Sequence, residues 1–466
     1  MVDFHLSASL VFSILIPLLF FVISKLKTST SNPTKLPKSY PIFGSFFAIL
    51  KNRERYAHWT SDIVTSTPNL TFTLHRPFGR RLVLTANAAN VQHILKSHFH
   101  NYDKGDFFRS TLRDFLGDGI FNTDGENWKF QRQDILQRFA FDNICKIAFG
   151  YDPGYLSESL PEEKLAVAFE KAVKLSSDRF SSFIPYFWKI KKALNIGSEK
   201  QLKIAVGQVR EFAKEIIREK KQQLEGKSGL ESSSVDDLLS RFLSSGHSDE
   251  DFVADIVISF MLAGRDTTSA ALTWFFYLLS HNPEVEREIL REIKEKQEAT
   301  SAYDEVKEMV YVHASLCESM RLYPPVPVDA KEALSDDVLP DGTVVRKGTR
   351  VSYHPYAMGR VEKVWGKDWA AFRPARWLER EETAGEWRFV NKDSYTYPVF
   401  QAGPRICLGK EMAFIQMKRV VAGVFRRFRI VPVVVEGAEP VYIAGLTAKM
   451  KGGFPVRIEA RAEASS

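Results

Sequence analysis

The sequence predicts a mainly α-helical chain with small β-sheets, set behind an N-terminal membrane-spanning helix. Three observations predict it. Apolar residues recur at helical spacing over most of the chain from residue 46 onward. Strand-like runs are short and few, at 70–74, 82–85, 343–345, 350–353 and in an alternating tail near 428–460. An uncharged apolar run occupies residues 6–24.

Composition sets the outer bounds. Hydrophobic residues make up 44% of the 466 and aromatics 12%, with 35 Phe, which excludes a disordered chain. The net charge of +7, from 64 basic and 57 acidic residues, is dispersed rather than gathered into a basic arm, and argues against a nucleic-acid partner. Cys145, Cys317 and Cys407 stand outside any Cys-x-x-Cys or zinc-finger spacing. They make neither a disulfide framework nor a zinc site, so any sulfur chemistry rests on one thiol.

At about 1.5 Å per residue the run LSASLVFSILIPLLFFVIS spans roughly 28 Å, close to the hydrocarbon thickness of a bilayer. It is longer than a signal-peptide core, lacks a basic segment before it and an Ala-x-Ala site after it, and is followed by Lys25, Lys27, Lys35 and Lys38. Residues 1–24 therefore read as a single-pass anchor in membrane lipid, with the body facing the cytosol. A cleaved signal peptide is the competing reading; a lumenal domain would make Asn69-Leu70-Thr71 a glycosylation candidate. Residues 25–45 read as a basic, proline-rich hinge, because three prolines in SNPTKLPKSYPIFGS stiffen the backbone in extended form. Residues 46–466 read as one compact unit. Its one loop-like insertion, EGKSGLESSS (225–234), lacks the upstream glycine a phosphate-binding loop needs.

Chemistry concentrates near the C-terminus, in Phe400-Gln401-Ala402-Gly403-Pro404-Arg405-Ile406-Cys407-Leu408-Gly409 ahead of a helical stretch. Backbone amides in a tight loop and at a helix start can donate to a sulfur and favour its thiolate, while glycine lets a flat cofactor approach the backbone. Taken alone, Cys407 would read as a core cysteine. Glu318-Ser319-Met320-Arg321 places a carboxylate and a guanidinium on one helix face, a pair that by spacing alone is worth little. Ala263-Gly264-Arg265-Asp266-Thr267-Thr268 sits inside an apolar helix expected over about 251–280, where buried Asp and Thr are costly without a purpose. A kinked helix with Thr hydroxyls bonded back to carbonyls is the plain alternative.

The cysteine loop resembles the haem-binding signature of the cytochrome P450 superfamily, Phe-x-x-Gly-x-Arg-x-Cys-x-Gly, with every specified position filled. The resemblance covers nearly the whole chain and implies a cytochrome P450 fold and a monooxygenase with haem b held by the Cys407 thiolate. It implies that Phe400, Gly403, Ala263 and Gly264 border the haem, and that Asp266 is the acid and Thr267 the alcohol that deliver protons to bound oxygen. It assigns the haem propionates to Trp128 and Arg132 of Trp-x-x-x-Arg, to Arg405 and to Lys331, since arginine suits a carboxylate. Phe372-Arg373-Pro374-Ala375-Arg376-Trp377 resembles the segment whose arginine joins Glu318 and Arg321 in a buried structural network. Lys129, Lys410 and Lys418 would give the sulfur side a basic face for an acidic flavoprotein, unless they are simply a solvated helix face.

FNTDGENWKFQR (121–132), the 242–276 helix and YTYPVFQAGPRICLGKEMAFIQMK (395–418) look like the plant fatty-acid ω-hydroxylases, whose relatives oxidise jasmonoyl-isoleucine. The branch implies O2 and electrons from an NADPH-cytochrome P450 reductase at the endoplasmic reticulum membrane. It further implies terminal or near-terminal hydroxylation of a medium- or long-chain fatty acid, with contacts from Phe107, Phe108, Phe121, Val326, Val328 and Leu446. The alternatives are jasmonoyl-isoleucine hydroxylation and a catalytically impaired form. The impaired form follows from one departure. Only Gln133 separates Arg132 from Asp134, where the family places further helices, so on the order of 40 residues are expected to be absent near 132–134.

Overall fold

The computed structural model describes residues 36–132, 164–182, 186–225, 239, 243, 249–296, 302–380, 387–433 and 440–461. The anchor expected over 1–24, the junction after Arg132 and the 225–234 loop from residue 226 on lie outside these. Among the described residues no helix is long and apolar enough to cross a membrane. The chain divides between Lys38 and Ser39. Residues 39–45, placed in the hinge by their composition, belong to the body: Tyr40 bridges Gly44, Ser45 N donates to His75 O at 2.8 Å and Phe78 N to Ile42 O at 2.9 Å. Proline stiffens this segment, but backbone pairing decides its membership.

The body is built from helices and small sheets, as the periodicity predicts. Strands β1 (Thr71–His75), β2 (Arg81–Thr85), β3 (Tyr102–Asp103), β4 (Asp329–Ala333) and, beyond the hairpin β5 (Asp337–Val338) and β6 (Val344–Val345), β7 (Arg350–Tyr353) supply the main sheet. Its order is β1-β2-β7-β4-β3. Only β2 and β7 run parallel. Leu74, Val83, Leu84 and Val351 are fully buried; the neighbours Val83 and Leu84 point to opposite faces, so β2 is covered on both sides.

Two helical cores flank the chemistry. Helices α1 (Gly105–Leu116), α2 (Gly125–Phe130), α3 (Lys164–Asp178), α4 (Gly197–Glu225) and α5 (Glu250–Met261) come first in the chain. Of these, α1, α3, α4 and α5 pack around Phe115, Phe169, Leu202 and Val257. Helices α6 (Thr267–Ser280), α7 (Pro283–Glu295), α8 (Val310–Leu322) and α9 (Lys410–Arg427) enclose Phe275, Ile289, Leu316 and Val421. The single helix expected over 251–280 is α5 and α6 joined by a π turn at Leu262–Asp266. Asp249 starts it by accepting from Asp251 N and Phe252 N, with Glu250 and Asp251 complementing the helix dipole. The π turn falls where Ala263 and Gly264 leave room and Gly, Asp and Thr weaken the helix.

Candidate active site

The cysteine loop is shaped by two left-handed residues, Gln401 (φ 63°) and Gly403 (φ 64°). Gly403 is required there: a Cβ would lie 2.0 Å from Leu95 O. The loop closes by Ile406 N donating to Gly403 O at 3.1 Å and Cys407 N to Phe400 O at 2.8 Å. Phe400 also packs on Phe414 of α9, with ring centroids 5.2 Å apart. Cys407 keeps an accessible surface, although it is largely surrounded by protein. Burial pushes its thiol up, while the Gly409 amide and the charges of Arg132 and Lys410 act to lower it.

Beside this loop lies a buried cationic cluster. Arg405 stands over the Trp128 ring at 4.3 Å, and its Nη2 donates to Asp124 Oδ1 at 2.5 Å, leaving Nε without a partner. Lys331 is 1% exposed. Its Nζ has no hydrogen-bond acceptor and lies 3.6 Å from Asp329 Oδ2. Burial brings its pKa down to about 7. Burial would raise Asp329, but Lys104, Lys331 and hydrogen bonds from Gln401 and Tyr353 outweigh it and hold that carboxyl far below the usual range. Orphaned buried cations beside an accessible thiol fit a flat dianionic cofactor such as haem, whose propionates would satisfy Lys331 Nζ and Arg405 Nε.

Sequence reasoning missed Asp329, Asp124, Lys104 and Tyr353. The signal for Asp329 was present: it stands two residues before Lys331 on a strand, hence on the same face. Arg132 departs from the expected arrangement. Its guanidinium is 5.8 Å from the Trp128 ring, and Nη1 donates to Ile406 O at 3.0 Å, which ties it to the cysteine loop.

Glu318, Arg321 and Arg376 come together behind the loop. Arg321 Nε and Nη2 each donate to Glu318 at 2.8 Å. Arg376 Nε adds a bond at 3.2 Å, the Arg373 amide one at 3.0 Å and the Trp377 indole one at 2.9 Å. Arg321 also donates to the carbonyls of Gly359 and Ala371. Glu318 and Arg321 are fully buried, and the second cation, Arg376, is balanced by Asp368 at 2.9 Å.

In the π turn, Thr267 Oγ1 donates to Ala263 O at 2.5 Å, so the back-bonded alternative holds for that hydroxyl. Asp266 is 5% exposed. Its Oδ2 has no hydrogen-bond partner, and Arg265 lies 3.8 Å from Oδ1. Burial raises its pKa against the charges of Lys449 and Arg265. A Cβ on Gly264 would meet nothing within 4 Å, and Ala263 is half-buried.

Lys418 is a correction. It is buried, its Nζ donates to Lys307 O at 3.2 Å, and burial brings its pKa down to about 8; its ammonium is turned into the protein and away from a docking face. Lys129 pairs with Glu126 at 2.7 Å, and Lys410 lies 6.0 Å from the Phe400 ring centroid. Phe107 is buried against Phe180 and Tyr186, while Phe121 is exposed. Phe108 and Leu446 pack against the same apolar cluster as Leu408, the neighbour of Cys407.

The Cytochrome P450 family model matches residues 130–451, more than half of the chain. Cytochrome P450 94A2 of Vicia sativa is 58% identical over 481 residues, covering 94% of this chain and 93% of the relative. Cytochrome P450 94A1 of the same species is 57% identical, covering 92% of each. Cytochrome P450 94B1 of Arabidopsis thaliana is 44% identical, covering 97% of this chain and 98% of the relative. That last alignment runs over 504 residues, more than the 466 present here, so the relative holds positions this chain lacks. The cysteine loop, the buried cations and these likenesses agree: the chain belongs to the cytochrome P450 family, within the 94 group, as a haem-thiolate monooxygenase supplied with NADPH electrons by a reductase.

Proposed function

We propose that this enzyme hydroxylates the terminal or near-terminal carbon of a medium- or long-chain fatty acid, anchored by residues 1–24 in the endoplasmic reticulum membrane with its body in the cytosol. The observation that supports the substrate class is the packing of Phe108 and Leu446 against an apolar cluster that includes Leu262, at the start of the π turn that carries Asp266. An apolar wall beside that turn suits an alkyl chain. At the edge of the same region the Arg80 and Arg350 guanidinium groups each lie 5.0 Å from the Phe107 ring centroid. Neither makes a side-chain ion pair among the described residues, which suits a carboxylate end.

Haem bound here would supply oxygen activation. The protein supplies the setting. Cys407 would hold the iron, and the Gly409 amide and the positive charges of Arg132 and Lys410 favour its thiolate. Lys331 and Arg405 would pair with the propionates. Asp266, whose pKa burial raises, offers its unpartnered Oδ2 as the proton-relay group, and Thr267 offers a hydroxyl that is bonded to Ala263 O. The network of Glu318, Arg321 and Arg376 ties α8 to the segment 359–377, and Tyr397, ahead of the cysteine loop, donates to Cys317 O at 2.9 Å.

The length of the alignment with the relatives favours a second reading, a form impaired in haem binding by the positions absent after Arg132. The reduced, carbon monoxide-treated full chain decides between them. A thiolate-type red-shifted band is expected; its absence from folded protein would overturn the first reading. With the band present, turnover of fatty acids and of jasmonoyl-isoleucine in parallel with a reductase tests the substrate. Preference for the hormone conjugate would overturn the fatty-acid assignment. Thr267→Ala is expected to raise oxygen consumption per product formed several-fold, and unchanged coupling would remove its proton-delivery role.

A further inference from the structure

On the side of the Gly403 contact away from the cysteine loop, a second constellation of ligating groups falls outside the oxygenase chemistry. The helix at Ala88–Gln92 continues into a π turn over His93–Ser97. An α-helix would set residues five apart about 140° around its axis. Here His98 N donates to His93 O at 2.8 Å, and the widened turn brings both imidazoles to one face, ring centroids 3.8 Å apart and planes inclined by 38°. Asp337, at the start of β5, reaches this face from a distant part of the sequence. Its Oδ2 lies 2.8 Å from His93 Nε2 and 3.3 Å from His98 Nδ1. Single ligand atoms of the three residues all fall within 4.8 Å of one another.

We propose that His93, His98 and Asp337 bind one divalent transition-metal ion of the zinc class, with water as the fourth ligand. A tetrahedral ion with bonds of about 2.0–2.1 Å has ligand-to-ligand edges of roughly 3.3 Å, close to the separations present. Two imidazoles and one carboxylate suit zinc, copper or nickel rather than magnesium or calcium. The supporting contacts fix the carboxylate as a ligand needs. Tyr102 OH donates to Oδ2 at 2.8 Å and Val338 N to Oδ1 at 2.8 Å. Without metal, two imidazoles and a phenol crowd one oxygen, whereas an ion takes up both ring nitrogens at once. The His98 side chain is 49% exposed, which leaves an entry path and room for the water. Bound metal would tie the π turn to the β5–β6 hairpin. The same turn carries Leu95, whose carbonyl limits the approach of Gly403, so the ion would stiffen the wall behind the cysteine loop.

The test is titration of the metal-free full chain with Co2+, read by the visible bands of a four-coordinate ion, and with Zn2+ by calorimetry. The wild type is expected to bind one equivalent in this mode. His98→Gln keeps a hydrogen-bond donor toward Asp337 but not the imidazole, and should bind at least tenfold more weakly with an unchanged metal-free melting temperature. His98→Cys, which restores a ligand, should recover tight binding with a cobalt-thiolate band. The Cys407 thiol is common to all three proteins and cancels in the comparison. Wild type and His98→Gln titrating alike, or neither showing four-coordinate cobalt bands, would overturn the proposal.

Discussion

Glu318 is the residue on which the proximal architecture converges, because one buried carboxylate accepts from two arginine side chains, a backbone amide and an indole. Removing its charge leaves Arg321 buried and unpaired, so Glu318→Gln is expected to cost about 3–5 kcal/mol of stability, read from the urea midpoint at constant slope. Lys331 works in the opposite sense. Its ammonium is buried without a hydrogen-bond acceptor, and burial brings its pKa down to about 7 in the folded chain from the ordinary lysine value of 10.5. Between those values the unfolded chain binds the extra proton, so this group makes stability rise with pH across that window. Lys331→Met is expected to raise the melting temperature of the haem-free chain near pH 7, flatten that rise, and weaken haem binding in a hemin titration. Arg132 adds a contact that the motif Trp-x-x-x-Arg did not announce: its Nη1 donates to Ile406 O in the cysteine loop.

At the scale of elements, the short strands were legible because period-two alternation survives in runs of only four or five residues, and β1, β2 and β7 fall within one residue of the expected runs. The π turn was not legible. A run such as LAGRDT carries the composition of a strained helix, but whether it kinks, bulges or stays straight depends on what packs against it. The loop before α9 rests on one close approach. Gly403→Ala would force a Cβ to 2.0 Å from Leu95 O in a left-handed backbone conformation. The loop must then move, and loss of the thiolate-type carbon monoxide band with helix content by circular dichroism unchanged is expected. A retained band would show that the loop does not need this approach.

For the whole molecule, buried imidazoles set acid tolerance. His354 is fully buried. It accepts from Ala357 N at Nδ1 and lies 2.9 Å from Thr60 Oγ1 at Nε2, and burial pushes its pKa down to about 3. His313, stacked on Phe414, is likewise lowered to about 3. Burial lowers His58 as well, to about 4. The ordinary imidazole value is 6.5, so between about pH 6 and 4 the unfolded chain binds more protons at all three and stability falls as pH falls. Each contributes a slope of about 1.4 kcal/mol per pH unit. Chemical denaturation at pH 7 and pH 5 is expected to show that loss, and His354→Gln to reduce the slope from these histidines by about a third.

The sequence by itself determined the helical class, the short strands, the cysteine loop with its specified glycines and arginine, and the placement of Glu318 and Arg321 on one helix face. These are local patterns or fixed spacings, written in periodicity and in residues that few other structures require. Tertiary structure decided that residues 39–45 join the body, that Lys418 is buried instead of facing a partner, that Asp329 governs Lys331, and that a π turn stacks His93 on His98 against Asp337. Each depends on burial or on a partner distant in the chain, and a side chain's charge, acidity and reach are set by that environment more than by its position in the sequence.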